Sequence, residues 1–480
     1  MKELIKKIID QISIPEITFG DVRYTSSDFQ SIFFEKGNLK QLLKEKNDEA
    51  IGVRVLINGC WGFASTSLTS QPSEIDRIIK KAITNAKHGS LFKTNKVIYT
   101  PLKPTIASYR FEPEENPFTM SEEEKISYFE KVSKLLTGHE KIVYSYTDCN
   151  FFKQYKIYAN TEGTFTDSVV YDVMPDMFVL SSDGNHTFSR TWPGHMGARR
   201  GGFEKVRAFR FEENTERIIK EAIDLLSAPA IEDERADLII GGGHLALQIH
   251  ESIGHATEAD RIFGMEISYA GKTFVKKNML GNFKYGSEIV TIYNDSTLEG
   301  GLGYHPVDDE GVPGKKTDVI KNGILTDLQT SREIAPLLGL EPSSNMLASF
   351  ASDFPLIRMT NLCLAHGHGS LDDLIKETEK GYLVDFTKTW SIDDNRYNFQ
   401  FSTEIGYKIV DGKIVGIVKE PTYYGITPEF WASCDRICGA DEWEVHGTFN
   451  CGKGEPGQVM HLSHGTAPAR FKNVVCKVGG

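Results

Sequence analysis

The chain has no apolar run approaching the roughly 20 consecutive residues that a membrane-spanning helix needs. Nor does it carry a basic excess: 54 Lys and Arg stand against 66 Asp and Glu, a formal net charge of −12. Phosphate binding requires a clustered basic face, so this balance argues against nucleic acid as the main partner. The nearest thing to such a cluster, Arg190 with Arg199-Arg200 around a glycine-rich stretch, reads as a local loop or a carboxylate contact. Cysteine is sparse as well. Seven thiols scattered through 480 residues, an odd number, do not make a disulfide framework and are read as free thiols with room for a metal ligand. Low-complexity tracts and short repeats are missing, and Met1 to Asp10 forms an amphipathic pattern of mixed charge without the apolar stretch of a signal peptide. From these absences the expected location is cytoplasmic.

A chain of this length exceeds one ordinary core, so two domains are expected. The first half alternates helices with hairpins. Residues 2–12 read as a helix, and Ile51 to Ile57 meets Cys60 to Phe63 across Asn58-Gly59, a type I′ hairpin signal. A helix follows Ser73, with Gly89 beyond its end. Another starts at the capping box Ser121-x-x-Glu124 and stops by Gly138. Asn160 to Gly163 turns a second hairpin, and a helix near Glu216 to Leu226 leads to the linker Ser227-Ala228-Pro229-Ala230. The expected domains are residues 1–230 and 231–480. In the second, Asn322-Gly323 and Asp411-Gly412 mark hairpins, with short helices near 331–338 and behind Ser370. Without a βαβ rhythm the expected class is α+β: helices and antiparallel hairpins first, then an antiparallel-rich mixed sheet carrying a distorted metal-binding helix.

That helix holds the most informative stretch, His250-Glu251-Ser252-Ile253-Gly254-His255. Two imidazoles can hold a metal ion while a carboxylate takes a proton from the attacking water. The usual H-E-x-x-H spacing puts both histidines on one helical face, but here there is one extra residue. Five α-helical positions turn through about 500°, leaving the rings about 140° apart. A π-bulge would absorb the extra residue, with Gly254 as its weak point. The spacing therefore predicts a distorted helix after the strand Asp237 to Ile240 and the turn Gly241 to Gly243. Burying charged Glu251 there requires compensation, which a nearby metal would supply.

A catalytic zinc takes three protein ligands and leaves one position open. For the third, residue chemistry leaves Glu258, three positions past His255, and Cys451, in a small-residue loop beside Lys453, about equal. Cys434 and Cys438 would share a face if helical, yet read better as paired buried thiols. His461 and His464, flanking Leu462-Ser463, could converge on a metal, although loop histidines are commoner than ligands.

Four blocks appear in order: H-E-x-x-x-H at 250–255, Asp308-Asp309-Glu310-Gly311-Val312-Pro313-Gly314, Pro355-Leu356-Ile357-Arg358-Met359-Thr360-Asn361, and Cys451-Gly452-Lys453. In this combination the chain resembles the TldD/PmbA family, and within it the TldD branch of metalloproteases. Gly52-Val53-Arg54 before Gly62-Phe63-Ala64 is a looser match in the first domain. The resemblance implies a zinc peptidase whose metal is held by His250, His255 and Cys451, with Glu251 as the catalytic glutamate. The segment Gly454-Glu455-Pro456-Gly457 departs from the family by a longer loop.

The expected reaction is metal-assisted hydrolysis of peptides, with Glu251 as general base. A thiolate ligand donates more charge than a third imidazole, so the zinc should be a somewhat weaker Lewis acid. His244 and Tyr304 are candidates for the oxyanion donor. The resemblance implies unfolded or small peptides as substrates, which suits recognition by strand addition at Gly301 to Val307 or at the turn Asp308 to Gly314. Candidate substrate contacts are Tyr304, Asp309 and Arg358, although the acidic cluster Asp308 to Glu310 suits capping or solvation, and Arg358 suits a structural ion pair. Homodimers, or heterodimers with a PmbA-like subunit, are also implied. The competing reading is a noncatalytic regulatory subunit of the gyrase-modulator type, and a third is a structural zinc protein with a closed four-ligand site.

Overall fold

The computed structural model describes residues 1–92, 94–269, 271–454 and 456–479. Two long strands, Phe19–Glu35 and Asn38–Ile57, run antiparallel at the centre of the first half. With Cys60–Thr66, Ile142–Asn160 and Phe165–Ser182 they form most of an eight-stranded sheet. Strand Ile106–Arg110 joins it in parallel, and Thr187–Trp192 and Arg199–Arg200 also pair with Phe165–Ser182. Helices cover this sheet in two groups. Ile5, Ile8 and Ile12 of Lys2–Ile12 form one apolar stripe, which packs with Ile75, Ile78 and Ile79 of Pro72–Ser90 on Ile51, Val53 and Val55. Phe129 and Val132 of Glu122–Leu135 pack with Ile218 and Ile219 of Phe211–Ser227 on Phe151 and Val173.

The second half is built on a seven-stranded sheet that closes on itself. Glu234–Ile240, Ala469–Val478, Pro421–Ile426, Asn398–Val410 and Lys380–Ile392 pair in that order, and Lys380–Ile392 returns to Glu234–Ile240 as a parallel neighbour. Lys413–Val418 and Cys434–Ile437 extend the ring. A separate ribbon of Glu444–Lys453 and Gln458–Thr466 lies beside it. Among the described residues no helix is long and apolar enough to cross a membrane.

The mixed α+β architecture with mainly antiparallel sheets is as expected. Each dipeptide read as a hairpin turn makes one, with positive φ at Asn58 and Gly59, Asn322 and Gly323, and Asp411 and Gly412. Ser370 forms a full capping box with Asp373, whereas Ser121 makes only half of one, accepting from the Glu124 N–H. Three details differ. Gly89 lies inside its helix, which runs to Ser90, and the last helix of the first half starts at Phe211 instead of near Glu216. Cys434 lies on a strand and Cys438 just beyond its end, so the shared helical face does not exist.

The halves interlock through polar side chains. Arg54 donates to the Asp309 carbonyl (2.9 Å), Lys156 pairs with the Asp309 carboxylate (2.7 Å), and Arg190 pairs with Glu404 (2.5 Å). Asp308, Asp309 and Glu310 are all buried at this junction. Solvation is therefore the wrong reading of the acidic cluster: Asp308 caps the Glu310 and Val312 N–H groups, and Glu310 accepts from the Arg332 N–H. Gly301 to Val307 is irregular, and the N–H groups of Gly301 to His305 all donate within the molecule, so it offers no extended edge for a peptide, while a Val307–Pro313 bridge closes the turn that follows. Arg190 and Arg200 meet carboxylates of Glu221, Glu404 and Asp172, and Arg199 donates to the Met196 and Ala198 carbonyls, so the arginines of this stretch are spent on internal contacts.

Candidate metal centre

Strand Glu234–Ile240 leaves the ring and turns at Gly241, where a Cβ would come within 2.3 Å of Asp385 Oδ2. Helix Gly242–Ile249 follows and is buried almost throughout. At His250 the helix widens. Residues His250–Gly254 form a π-helical segment, and the His255 N–H donates to the His250 carbonyl, five residues back. One wide turn absorbs the extra residue, as the spacing predicts, and the two imidazoles come to 4.7 Å between ring centres. Gly254 is required for close approach: a Cβ there would lie 2.0 Å from Met359 Sδ.

The third donor comes from the ribbon. A register shift between Thr448 and Cys451 interrupts the Glu444–Lys453 pairing and presents the Cys451 thiol to the histidines. Sγ lies 4.0 Å from His255 Nε2, and the donor atoms of His250, His255 and Cys451 all fall within 4.8 Å of one another. All three residues are buried. Around a tetrahedral ion with bonds of about 2.0–2.3 Å, neighbouring donors sit about 3.3–3.8 Å apart. The cluster is thus slightly open, by an amount that small side-chain rotations remove.

Hydrogen bonding behind the histidines fits the same purpose. His464 Nδ1 is 2.9 Å from the Leu362 carbonyl, which can only accept, so this nitrogen donates and His464 Nε2 is the acceptor. That Nε2 lies 2.9 Å from His250 Nδ1, which must then carry the proton, leaving His250 Nε2 with a free lone pair. Glu258 Oε2 accepts from His255 Nδ1 (2.9 Å) and frees the other His255 nitrogen in the same way. Arg261 and Lys453 hold Glu258 from the other side, at 2.9 and 3.3 Å. Glu258 therefore orients a histidine and does not join the cluster, a division of labour typical of metal sites. Burial pushes the Cys451 thiol up, but Arg358 and His255 outweigh it and bring the pKa below its ordinary value. A cysteine sulfur and two imidazoles with aimed lone pairs form a donor set suited to a divalent transition metal.

Glu251 points into a cavity of about 260 Å³ shared with these donors and with His195, Trp390, Arg396, Thr448 and Asn450. Its Oε2 pairs with Arg396 Nη1 (2.6 Å), and its Oε1 accepts from Trp390 Nε1 (3.0 Å). Burial alone would raise its pKa, yet His255, His250 and Arg396 together lower it, so the carboxylate is ionised. Part of the compensation that the sequence assigned to a metal thus comes from Arg396 and Trp390. Neither stands near the motif in sequence, and no spacing points to them.

The remaining candidates lie elsewhere. Arg358 is buried and donates to the Cys451 and Gln458 carbonyls, so it braces the ribbon where an ion pair was expected. Asp309 serves Lys156 and the Ala348 N–H. Tyr304 packs on Tyr109 at 4.3 Å and lines a different cleft. His244 is buried between Thr387 and Tyr423. None of these four lines the cavity at Glu251. His461 bonds Asp172 (3.0 Å) and stacks on Phe449, away from His464. In the segment after Cys451, Glu455 lies outside the described residues.

Comparison with known proteins adds context to this geometry. The family model of the PmbA/TldA metallopeptidase C-terminal domain matches residues 233–468, and that of domain 1 matches residues 20–86. A metalloprotease of Methanothermobacter thermautotrophicus is 30% identical over 97% of this chain and 96% of its own length. A zinc metalloprotease TldD homolog of Saccharolobus solfataricus is 26% identical over 96% of this chain and 97% of its own. Among solved structures, a protein described as a modulator of a DNA gyrase from Thermotoga maritima matches with a TM-score of 0.76 at 18% identity, covering 99% of this chain and all of that one. TldE from Thermococcus kodakarensis gives 0.69 at 17% identity, with both chains fully covered. At such identities these two structures establish a shared fold.

Proposed function

The chain belongs to the PmbA/TldD metallopeptidase family, and from that premise we propose that it is a zinc peptidase acting on unfolded or small peptides. The observation that carries this reading is the meeting of His250, His255 and Cys451 within 4.8 Å beside an ionised Glu251. Those three residues would hold the metal. When bound, zinc supplies Lewis acidity that polarises a water and the scissile carbonyl. Glu251 accepts the proton of the attacking water and passes it to the departing amine, so peptide and water become a carboxylic acid and an amine. Arg396 and Trp390 fix the orientation of that carboxylate. His464 and Glu258 keep the two ligand imidazoles in the required tautomers.

Main-chain recognition has a natural partner in strand Glu444–Lys453, whose Thr448, Asn450 and Gly452 line the cavity. A peptide laid along its outer edge beyond Gly447, whose own N–H and carbonyl are taken by Met196 and Ala198, would be bound through backbone groups with little side-chain preference. The working assembly is a dimer, of two such chains or with a PmbA-like subunit, and a monomeric mass by light scattering under assay conditions would contradict that.

The test pairs metal analysis with cleavage of an unstructured peptide. Wild type is expected to hold one zinc per chain and to cleave. Glu251→Gln should keep the metal and lose about 10²–10⁴-fold in rate, while Cys451→Ala should lose metal. A full metal equivalent in Cys451→Ala, or undiminished cleavage by Glu251→Gln, would overturn the reading. Zinc-replete wild type that cleaves no peptide, alone or with a PmbA-like chain, would favour the noncatalytic regulatory subunit instead.

A further inference from the structure

Peptide hydrolysis needs a donor for the carbonyl oxygen as negative charge develops there, and such preorganised donors are commonly among the largest contributors to rate. Neither sequence candidate reaches the cavity: His244 is committed to Thr387 and Tyr423, and Tyr304 faces a different cleft. We propose that His195 is a catalytic residue whose imidazole N–H hydrogen-bonds the scissile carbonyl oxygen. The inference rests on the peptidase reading above.

Four observations lead to it. His195 lines the same cavity as Glu251 and the three metal-site donors. Its ring packs against Trp390 at 5.0 Å, the indole whose Nε1 holds Glu251, so one side chain braces both the base and the imidazole. Arg396 and Trp390 both donate to Glu251 and are aimed at that carboxylate, whereas the His195 ring makes no hydrogen bond among the described residues. Half-buried, it stays open to the cavity. Asn450 also lines the cavity but is exposed and lies within the irregular part of the ribbon, with less to fix its amide.

The segment carrying His195 is held in place although it comes from the first half of the chain. Gly194 has φ +86, and the Gly197 N–H closes the turn on the Gly194 carbonyl at 3.0 Å. The Ala198 N–H then donates to the Gly447 carbonyl (2.9 Å), and the Gly447 N–H to the Met196 carbonyl (3.1 Å). These two bonds fasten the loop to the strand that bears Cys451. The sheet-borne half thus supplies one functional group to a centre otherwise built from the second half, and that explains why the loop is pinned to the ribbon and not left free. A site assembled from rigid elements in this manner keeps its donor aimed before the substrate arrives.

The experiment compares wild type, His195→Ala and His195→Gln for zinc content, turnover of an unstructured fluorogenic peptide, and inhibition by a phosphinic pseudopeptide of the same sequence. The phosphinate oxygens imitate the developing oxyanion, while the cleaved product peptides do not. His195→Ala is expected to keep one zinc, to lose about 10²-fold in kcat with KM changed less than about threefold, and to bind the phosphinic peptide about 10²-fold more weakly. Product binding should stay as in wild type. His195→Gln, which restores an N–H donor, should recover part of both losses. Wild-type kcat and phosphinate affinity in His195→Ala would overturn the assignment, as would loss of zinc or of product binding in both variants. If His195→Ala does not fold, His195→Gln decides alone, and a rate no higher than about 1% of wild type with no phosphinate binding would refute a donor role. A wild type that cleaves nothing defeats the peptidase reading itself, whereas a cleaving wild type matched by His195→Ala defeats only His195.

Discussion

His464 touches no donor lone pair, yet its replacement should strongly weaken metal binding. Its Nε2 accepts from His250 Nδ1 and its Nδ1 donates to the Leu362 carbonyl, both at 2.9 Å and both buried. A leucine would remove both partners at once. The stranded His250 N–H costs about 1–3 kcal/mol if it stays buried without an acceptor. His250 escapes that cost by moving its proton to Nε2 or by turning its ring, and either response takes the lone pair away from the cluster. Loss of such an orienting partner typically costs 10–100-fold in metal affinity, or about 1.4–2.7 kcal/mol. His464→Leu should therefore show that loss in a zinc competition titration against a chromophoric chelator. Glutamine offers both a carbonyl acceptor and an amide donor at similar reach, so His464→Gln should stay within about threefold of wild type. Thermal melts of the metal-free proteins separate general destabilisation from the metal effect. Wild-type affinity in His464→Leu, or equal losses in the two variants, would refute the tautomer argument.

Two other predictions concern the supporting structure. Gly254→Ala places a methyl 2.0 Å from Met359 Sδ, and overpacking of this kind costs about 1–3 kcal/mol; denaturant unfolding should show that loss, with partial recovery in Gly254→Ala/Met359→Ala, and no change in the single variant would contradict the packing reason for this glycine. Asp148 faces Asp176 across two strands, and burial pushes its pKa up to about 7. A carboxyl raised in the folded state contributes stability below its unfolded value near 3.9, and that contribution is lost as pH climbs through 7. Asp148→Asn should thus gain on the order of 2 kcal/mol over wild type at pH 8 and nothing below about pH 4, and a difference that does not vary with pH would show that burial is not the cause.

Legibility from sequence followed the range over which each feature is determined. Asn-Gly and Asp-Gly turns, the Ser370 cap and the π-helical turn at 250–254 depend on neighbours within a few residues, and all were readable. The π turn was legible because chemistry demanded it: two imidazoles five apart can meet only if the helix widens. The closed ring was not legible, since the return of Lys380–Ile392 to Glu234–Ile240 joins segments some 140 residues apart through backbone pairing that leaves no local mark. The site divides in the same manner. The two candidate ligand histidines and the proposed base lie in one short motif, whereas residue chemistry alone left Glu258 and Cys451 level. Geometry separates them by direction: the Glu258 carboxylate is held by His255, Arg261 and Lys453, and the Cys451 thiol faces the histidines. Arg396, Trp390 and His195 were invisible for a further reason. A residue that orients another, as Arg396 and Trp390 do, or that arrives from a distant loop, as the proposed donor His195 does, carries no spacing signal, because its place is set by the ring and the pinned loop and not by the motif. The failed strand-edge reading at Gly301 to Gly314 has the reverse cause. There a motif was visible, but its carboxylates are spent on capping turns and joining the two halves, so a recognisable block of sequence need not face the substrate.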